Sequence, residues 1–214
     1  MFNRPRFVIS LSGALSTLLF AAVAPAATWF VNPDGSADAP TIKGGLALAV
    51  DGDSVIVAAG TYHERQIIIK SGVYLTSETG QADCVTIDAD GLGRGFYCLR
   101  VNGGAIVGFT VTNGKATYGG GLFCISLSTP DIVNCVFTGN SALVGGGAYL
   151  HHSPINATNT VFSSNSAEYF GGGIAIEDFS DPVLTNCTIT NNTAVDGGGV
   201  WCYLYSYRPC RAAP

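Results

Sequence analysis

GGGAYLHHSPINATNTVFSSNSAEYF, residues 145–170, is one turn of a repeat. The preceding stretch, 119–144, reads GGGLFCISLSTPDIVNCVFTGNSALV, and the following one, 171–196, reads GGGIAIEDFSDPVLTNCTITNNTAVD. A fourth turn opens at Gly197 with GGGVWCYLYS. The glycine triplets therefore start at Gly119, Gly145, Gly171 and Gly197, 26 residues apart each time. A fixed period of this length marks a solenoid, in which each repeat is one coil stacked on the last.

The first and third residues after each triplet are small or apolar: Leu122 and Cys124, Ala148 and Leu150, Ile174 and Ile176, Val200 and Cys202. That is the period-two signature of a strand with one buried face. A second strand runs through Cys135 and Phe137, Thr160 and Phe162, Cys187 and Ile189, and closes on Asn140, Asn165 or Asn192. A proline, Pro130, Pro154 or Pro182, marks the loop between the two. Frequent Val, Ile, Thr and Phe, broken by Gly, Asn, Ser and Pro, exclude helix throughout the repeats. The pattern predicts an all-β, parallel β-solenoid with rungs about 4.8 Å apart, so that like residues sit above one another. Stacked asparagines then hydrogen-bond along the ladder and tolerate left-handed turns, stacked phenylalanines fill the core, and glycine fits a tight corner. A leucine-rich repeat shares the strand ending in asparagine, but it requires helically spaced leucines where this chain has triple glycine and a second strand.

Triple glycine followed by an aliphatic residue (Gly119–Leu122, Gly145–Ala148, Gly171–Ile174, Gly197–Val200), paired with Phe137-Thr-Gly-Asn140 and Phe162-Ser-Ser-Asn165, resembles the repeats of chlamydial polymorphic outer-membrane proteins. It also resembles secreted bacterial right-handed parallel β-helix proteins of the pectin-lyase-like superfamily. Ile189-Thr-Asn-Asn192 departs only in replacing Phe by Ile. Asp34-Gly35, Thr41-Ile42, Val50-Asp51-Gly52-Asp53, Val55-Ile56-Val57 and Gly60-Thr61-Tyr62 are similar to the start of the same superfamily, including pectinesterase-like proteins. The resemblance implies a right-handed parallel β-helix. It implies an activity far less, because these motifs build rungs and corners.

Residues 1–26 read as a secretory signal peptide, with Arg4 and Arg6 before an apolar stretch from Phe7 to Val23 and Ala24-Pro25-Ala26 as the cleavage site. Ser10, Ser12, Gly13, Ser16 and Thr17 argue against a stable membrane span there. The chain is thus expected to be secreted, periplasmic or at the cell surface. Residues 27–105 form irregular coils, opened by a short capping helix over 41–50 with Ile42, Leu46, Ala49 and Val50 on one face. Further strands are expected at about 54–58, 73–76, 85–87, 96–101 and 106–112. Residues 106–206 form the regular rungs. Residues 207–214 break the pattern, as a truncated or frame-shifted end would, and an uncapped last rung would promote end-to-end association.

Without Arg4 and Arg6 the chain carries 8 basic and 15 acidic residues, a net charge of −7, and it has no lysine or arginine between Lys115 and Arg208. Nucleic acid and anionic membranes are therefore disfavoured partners. Seven cysteines in an exported chain suggest disulfides. Yet Cys124 and Cys202 lie about 14 Å apart in one column and Cys135 and Cys187 about 10 Å, beyond the roughly 7 Å a bridge spans. These four read as core residues; Cys124–Cys135 and Cys84–Cys98 remain open as pairs. No spacing suits structural zinc. The sequons at Asn156, Asn186 and Asn191 follow from the repeat composition.

Enzymes of the superfamily degrade acidic polysaccharides, which implies carboxylates to hold calcium and a basic residue to take a proton, or two carboxylates across adjacent strands. The regular rungs lack that base. Their concentrated acids are Glu177, Asp178 and Asp181 in one loop; His151 and His152 occupy the same loop a rung earlier, with His152 and Asp178 26 residues apart. These five are the candidate ligand-binding residues. They require no cofactor, and calcium is the one the acids admit. His63 and Glu64 suit a structural strand end. The leading expectation is a non-catalytic β-helix protein binding a glycan or surface partner. The alternatives are a polysaccharide lyase, esterase or hydrolase with its site in the N-terminal or missing C-terminal coils, and a passenger module of a longer outer-membrane protein.

Overall fold

The rungs that begin at Gly119 and Gly145 carry four short strands each, two more than the apolar periodicity alone discloses. Residues 25–203 are described by a computed structural model; the expected signal peptide up to Ala24 and the aberrant tail lie outside the described residues. In the rung that begins at Gly119, the strands are Leu122–Ile125 after the glycines, Asp131–Val133 after the proline, Val136–Thr138 around the core phenylalanine, and Ser141–Val144 before the next triplet. Every strand pairs in parallel with its counterpart one rung on, giving sheets of six, seven, six and three strands. We call them the post-glycine, post-proline, core-phenylalanine and pre-glycine sheets. The post-proline sheet runs unbroken from Thr28–Val31 to Val183–Thr185, so the irregular and regular coils share one stack. Among the described residues the result is an all-β, right-handed parallel β-helix of about seven turns with a single short helix.

The interior follows the predicted columns. Phe137 and Phe162 stack with ring centroids 5.1 Å apart and planes 9° apart, and both are buried. Asn165 is buried behind them; its Nδ2 donates to the Phe137 carbonyl and to Asn192 Oδ1, while its Oδ1 accepts from the backbone and side-chain nitrogens of Asn140. The left-handed turns fall to a different asparagine column, Asn134, Asn159 and Asn186, with φ of 51–52°. A third ladder, absent from the sequence reading, joins Ser128, Ser153 and Ser180 through backbone N–H to Oγ bonds of 3.2 and 2.9 Å.

The triplets earn their three glycines separately. Gly145 has φ +69°; a Cβ on Gly146 would lie 2.4 Å from the Ser166 carbonyl oxygen, and one on Gly147 2.5 Å from that of Gly173. The first requires a left-handed residue, and the others require backbone contact between rungs.

Several expectations need correction. The strand expected over 106–112 splits at Gly108 into Ala105–Val107 and Thr110–Thr112, because Gly108 takes φ +77°. The strand from Phe96 stops at Leu99, since Arg100 is left-handed. The helix spans Ile42–Leu48; Ile42, Leu46 and Ala49 are buried, but Val50 has left the helix and is 64% exposed. Thr41 caps it, and the Glu64 carboxylate accepts from the backbone of Ile42 and Lys43, which gives Glu64 a structural role at the first turn. Cys84, Cys98, Cys124, Cys135 and Cys187 are free, so neither Cys124–Cys135 nor Cys84–Cys98 is bridged. Burial pushes the Cys135 thiol up to about 11. Cys202 is disulfide-bonded rather than a plain core residue. No helix among the described residues is long and apolar enough to cross a membrane.

Candidate functional site

The post-glycine strands turn alternate residues outward, and these form two columns. One runs Tyr97, Phe123, Tyr149, Ala175, Trp201; the other runs Leu99, Ile125, His151, Glu177, Tyr203. Tyr97, Phe123 and Tyr149 stack at 5.5 Å intervals with planes 16° apart. From the pre-glycine sheet, Tyr118 leans on Tyr149 at 4.9 Å and Phe170 stacks on Trp201 at 4.5 Å. Phe170 thus joins the row where Ala175 interrupts it, and Ala175 is buried although it points out of the coil. The Arg94 guanidinium sits 4.0 Å from the Phe123 ring centroid, and its desolvation there lowers its pKa. The outer face is therefore a second, aromatic cluster outside the coil interior.

At the far end of this face the loops change length. In the neighbouring rungs four positions separate the last inward strand residue from the buried serine, Cys124 from Ser128 and Ile176 from Ser180; Leu150 and Ser153 are three apart. Ser126–Leu127 and Asp178–Phe179 are left-handed pairs, whereas the shorter loop has His152 alone, at φ +49°. The missing residue brings His152 beneath the Asp178–Phe179 pair. Its N–H donates to the Asp178 carbonyl, and its ring stacks on Phe179 at 5.5 Å. His151 Nδ1 lies 3.2 Å from His152 Nδ1, and His151 Nε2 lies 3.4 Å from Asp178 Oδ2. Asp178 Oδ1 is buried with no hydrogen-bond partner. The Tyr149 hydroxyl donates to Glu177 Oε2 at 2.5 Å; burial first, then that carboxylate, pushes the phenol far up. Four of the five sequence candidates are thus drawn together. Asp181 is exposed and stands outside the group.

A second group went unread in the sequence. His63 Nδ1 lies 2.8 Å from Asp90 Oδ1, and Asp88 completes a cluster whose donor atoms fall within 4.8 Å of one another. It borders a cleft of about 410 Å³ lined by Asp88, Asp90, Asn113, Lys115 and Ser141. His63 and Asp90 are 27 residues apart and Asp88 and Asn113 are 25 apart, so rung arithmetic was the available signal. The hydrogen bond to Asp90, reinforced by its charge, raises the His63 pKa.

Residues 53–208 match a family model described as the right handed beta helix region. Searches of curated proteins and of solved structures give no match. With nearly three-quarters of its length matched and every sheet parallel, the chain belongs to the right-handed β-helix family.

Proposed function

We propose that this chain is a secreted or cell-surface β-helix protein that binds a glycan or surface partner along its post-glycine face, without turning it over. The row Tyr97–Phe123–Tyr149, continued by Phe170 and Trp201, carries the reading. A row of rings on one sheet face, beside hydrogen-bonding groups on His151 and Glu177, suits an extended ligand with both apolar and hydroxyl surface. His151, His152, Glu177 and Asp178 supply the polar end; Asp181 is exposed in the loop that follows them. The net charge of −7 for the mature chain directs the face away from nucleic acid. A glycan array, run with and without calcium, tests the reading. Binding is expected and should weaken about tenfold or more in Tyr97→Ala and Trp201→Ala, with circular dichroism unchanged. No glycan bound, or binding indifferent to both substitutions, contradicts it.

The cleft beside His63 favours a second reading, a polysaccharide-active enzyme with its site in the N-terminal coils. There Asp88, Asp90, His63 and Lys115 place acids and bases around one opening. Turnover of an acidic glycan that is lost in Asp88→Asn and kept in Trp201→Ala would establish it over the first.

A further inference from the structure

We infer that His151, His152 and Asp178 bind one divalent transition-metal ion of the zinc class. The inference rests on the proposed binding face, whose polar end these residues form. The donor atoms lie within 4.8 Å of one another. The two Nδ1 atoms, 3.2 Å apart, already have about the separation of two nitrogens held at roughly 2.0–2.1 Å by one tetrahedral ion. Two imidazoles and one carboxylate leave a position open and suit zinc, nickel or copper; calcium takes six to eight oxygens, so the donor set does not fit it.

Three further observations point the same way. Asp178 Oδ1 is a buried acceptor with no partner, the kind of atom that an ion satisfies. Glu177, Asp178 and Asp181 carry negative charge in a stretch with no lysine or arginine from Ala116 to Tyr207. The rings are held in place, His151 stacking on Tyr149 at 6.4 Å and His152 on Phe179 at 5.5 Å, which limits the rotamers an ion would have to freeze. The one-residue shortening of the loop before Ser153 is what brings both imidazoles to Asp178.

The test uses the full, untagged chain with its disulfide intact and no glycan present. Equilibrium dialysis against Zn²⁺ with metal analysis should give one ion per chain. Affinity should fall tenfold or more in His152→Ala and in Asp178→Asn, and remain unchanged in His63→Ala, which removes the other histidine cluster. Co²⁺ should show ligand-field bands without a thiolate charge-transfer band. In the unsubstituted protein Zn²⁺ should protect His151 and His152, but not His63, from diethyl pyrocarbonate, a readout that survives if a variant misfolds. No zinc uptake at about 1 mM, uptake indifferent to both substitutions, a thiolate band, or no protection overturns the inference. Glycan binding that persists while zinc binding fails rejects the metal site alone; zinc binding without glycan binding rejects the proposed function alone.

Discussion

Asn165 shows how much one buried amide does in this fold. It bridges three rungs, bonding to Asn140 on one side and Asn192 on the other while holding the Phe137 carbonyl. Asn165→Ala leaves several buried groups unsatisfied, each costing about 1–3 kcal/mol. The expected loss is about 3–5 kcal/mol, read from urea unfolding; a loss below about 1 kcal/mol would show that the ladder is not in place. His63 offers a milder test. Its raised pKa comes from the Asp90 hydrogen bond and charge. The pair's stabilising effect is therefore complete below the unfolded value of about 6.5 and is lost as pH rises through the folded value. An NMR titration should find the His63 pKa lower in Asp90→Asn than in the parent, and equal values would refute the contact. The asparagine and phenylalanine columns were legible because both recur with the repeat. The His63–Asp90 pair was not, since each residue occurs once and only rung geometry joins them. His151, His152 and Asp178 were legible as neighbours, but the shortened loop that brings them together shows in the sequence only once the serine ladder is recognised.

Among the elements of the regular rungs, the post-glycine and core-phenylalanine strands were found, whereas the pre-glycine strands and the post-proline strands Asp131–Val133, Asn156–Thr158 and Val183–Thr185 were missed. Of the pre-glycine strands, Lys115–Tyr118 buries no residue and Ser166–Phe170 only Ala167, so they lack the alternation that marks Leu122–Ile125; Ser141–Val144 alone alternates, burying Ala142 and Val144. Their pairing comes from the neighbouring rung rather than from their own propensity. The serine ladder was missed likewise, because its spacing drifts from 25 to 27 residues across the proline loops. The glycine corner between the pre- and post-glycine strands is the least tolerant element. Gly146→Ala would press a methyl against the Ser166 and Gly172 carbonyl oxygens at 2.4 and 2.7 Å. Both are backbone atoms, Ser166 near the end of the same repeat and Gly172 in the next, and neither can yield locally. The expected cost is about 3 kcal/mol or more, seen as a lower thermal midpoint. An unchanged midpoint would mean that adjacent corners are not in contact.

Across the whole molecule, one repeat period sets both stability and surface. The inward columns build a core of stacked like residues, and the same register turns Tyr97, Phe123, Tyr149 and Trp201 into an outward row. Each rung buries its faces only against its neighbours, so stability accrues rung by rung. The binding face and the histidine–aspartate group are products of that stacking, since their members come from different coils. The most direct test is a crystal structure of the chain. The Cα atoms of Phe96, Leu122, Ala148, Ile174 and Val200 should fall on one line at intervals of about 4.8 Å, in parallel strands. Helices between the glycine triplets, or these five residues out of register, would contradict the account.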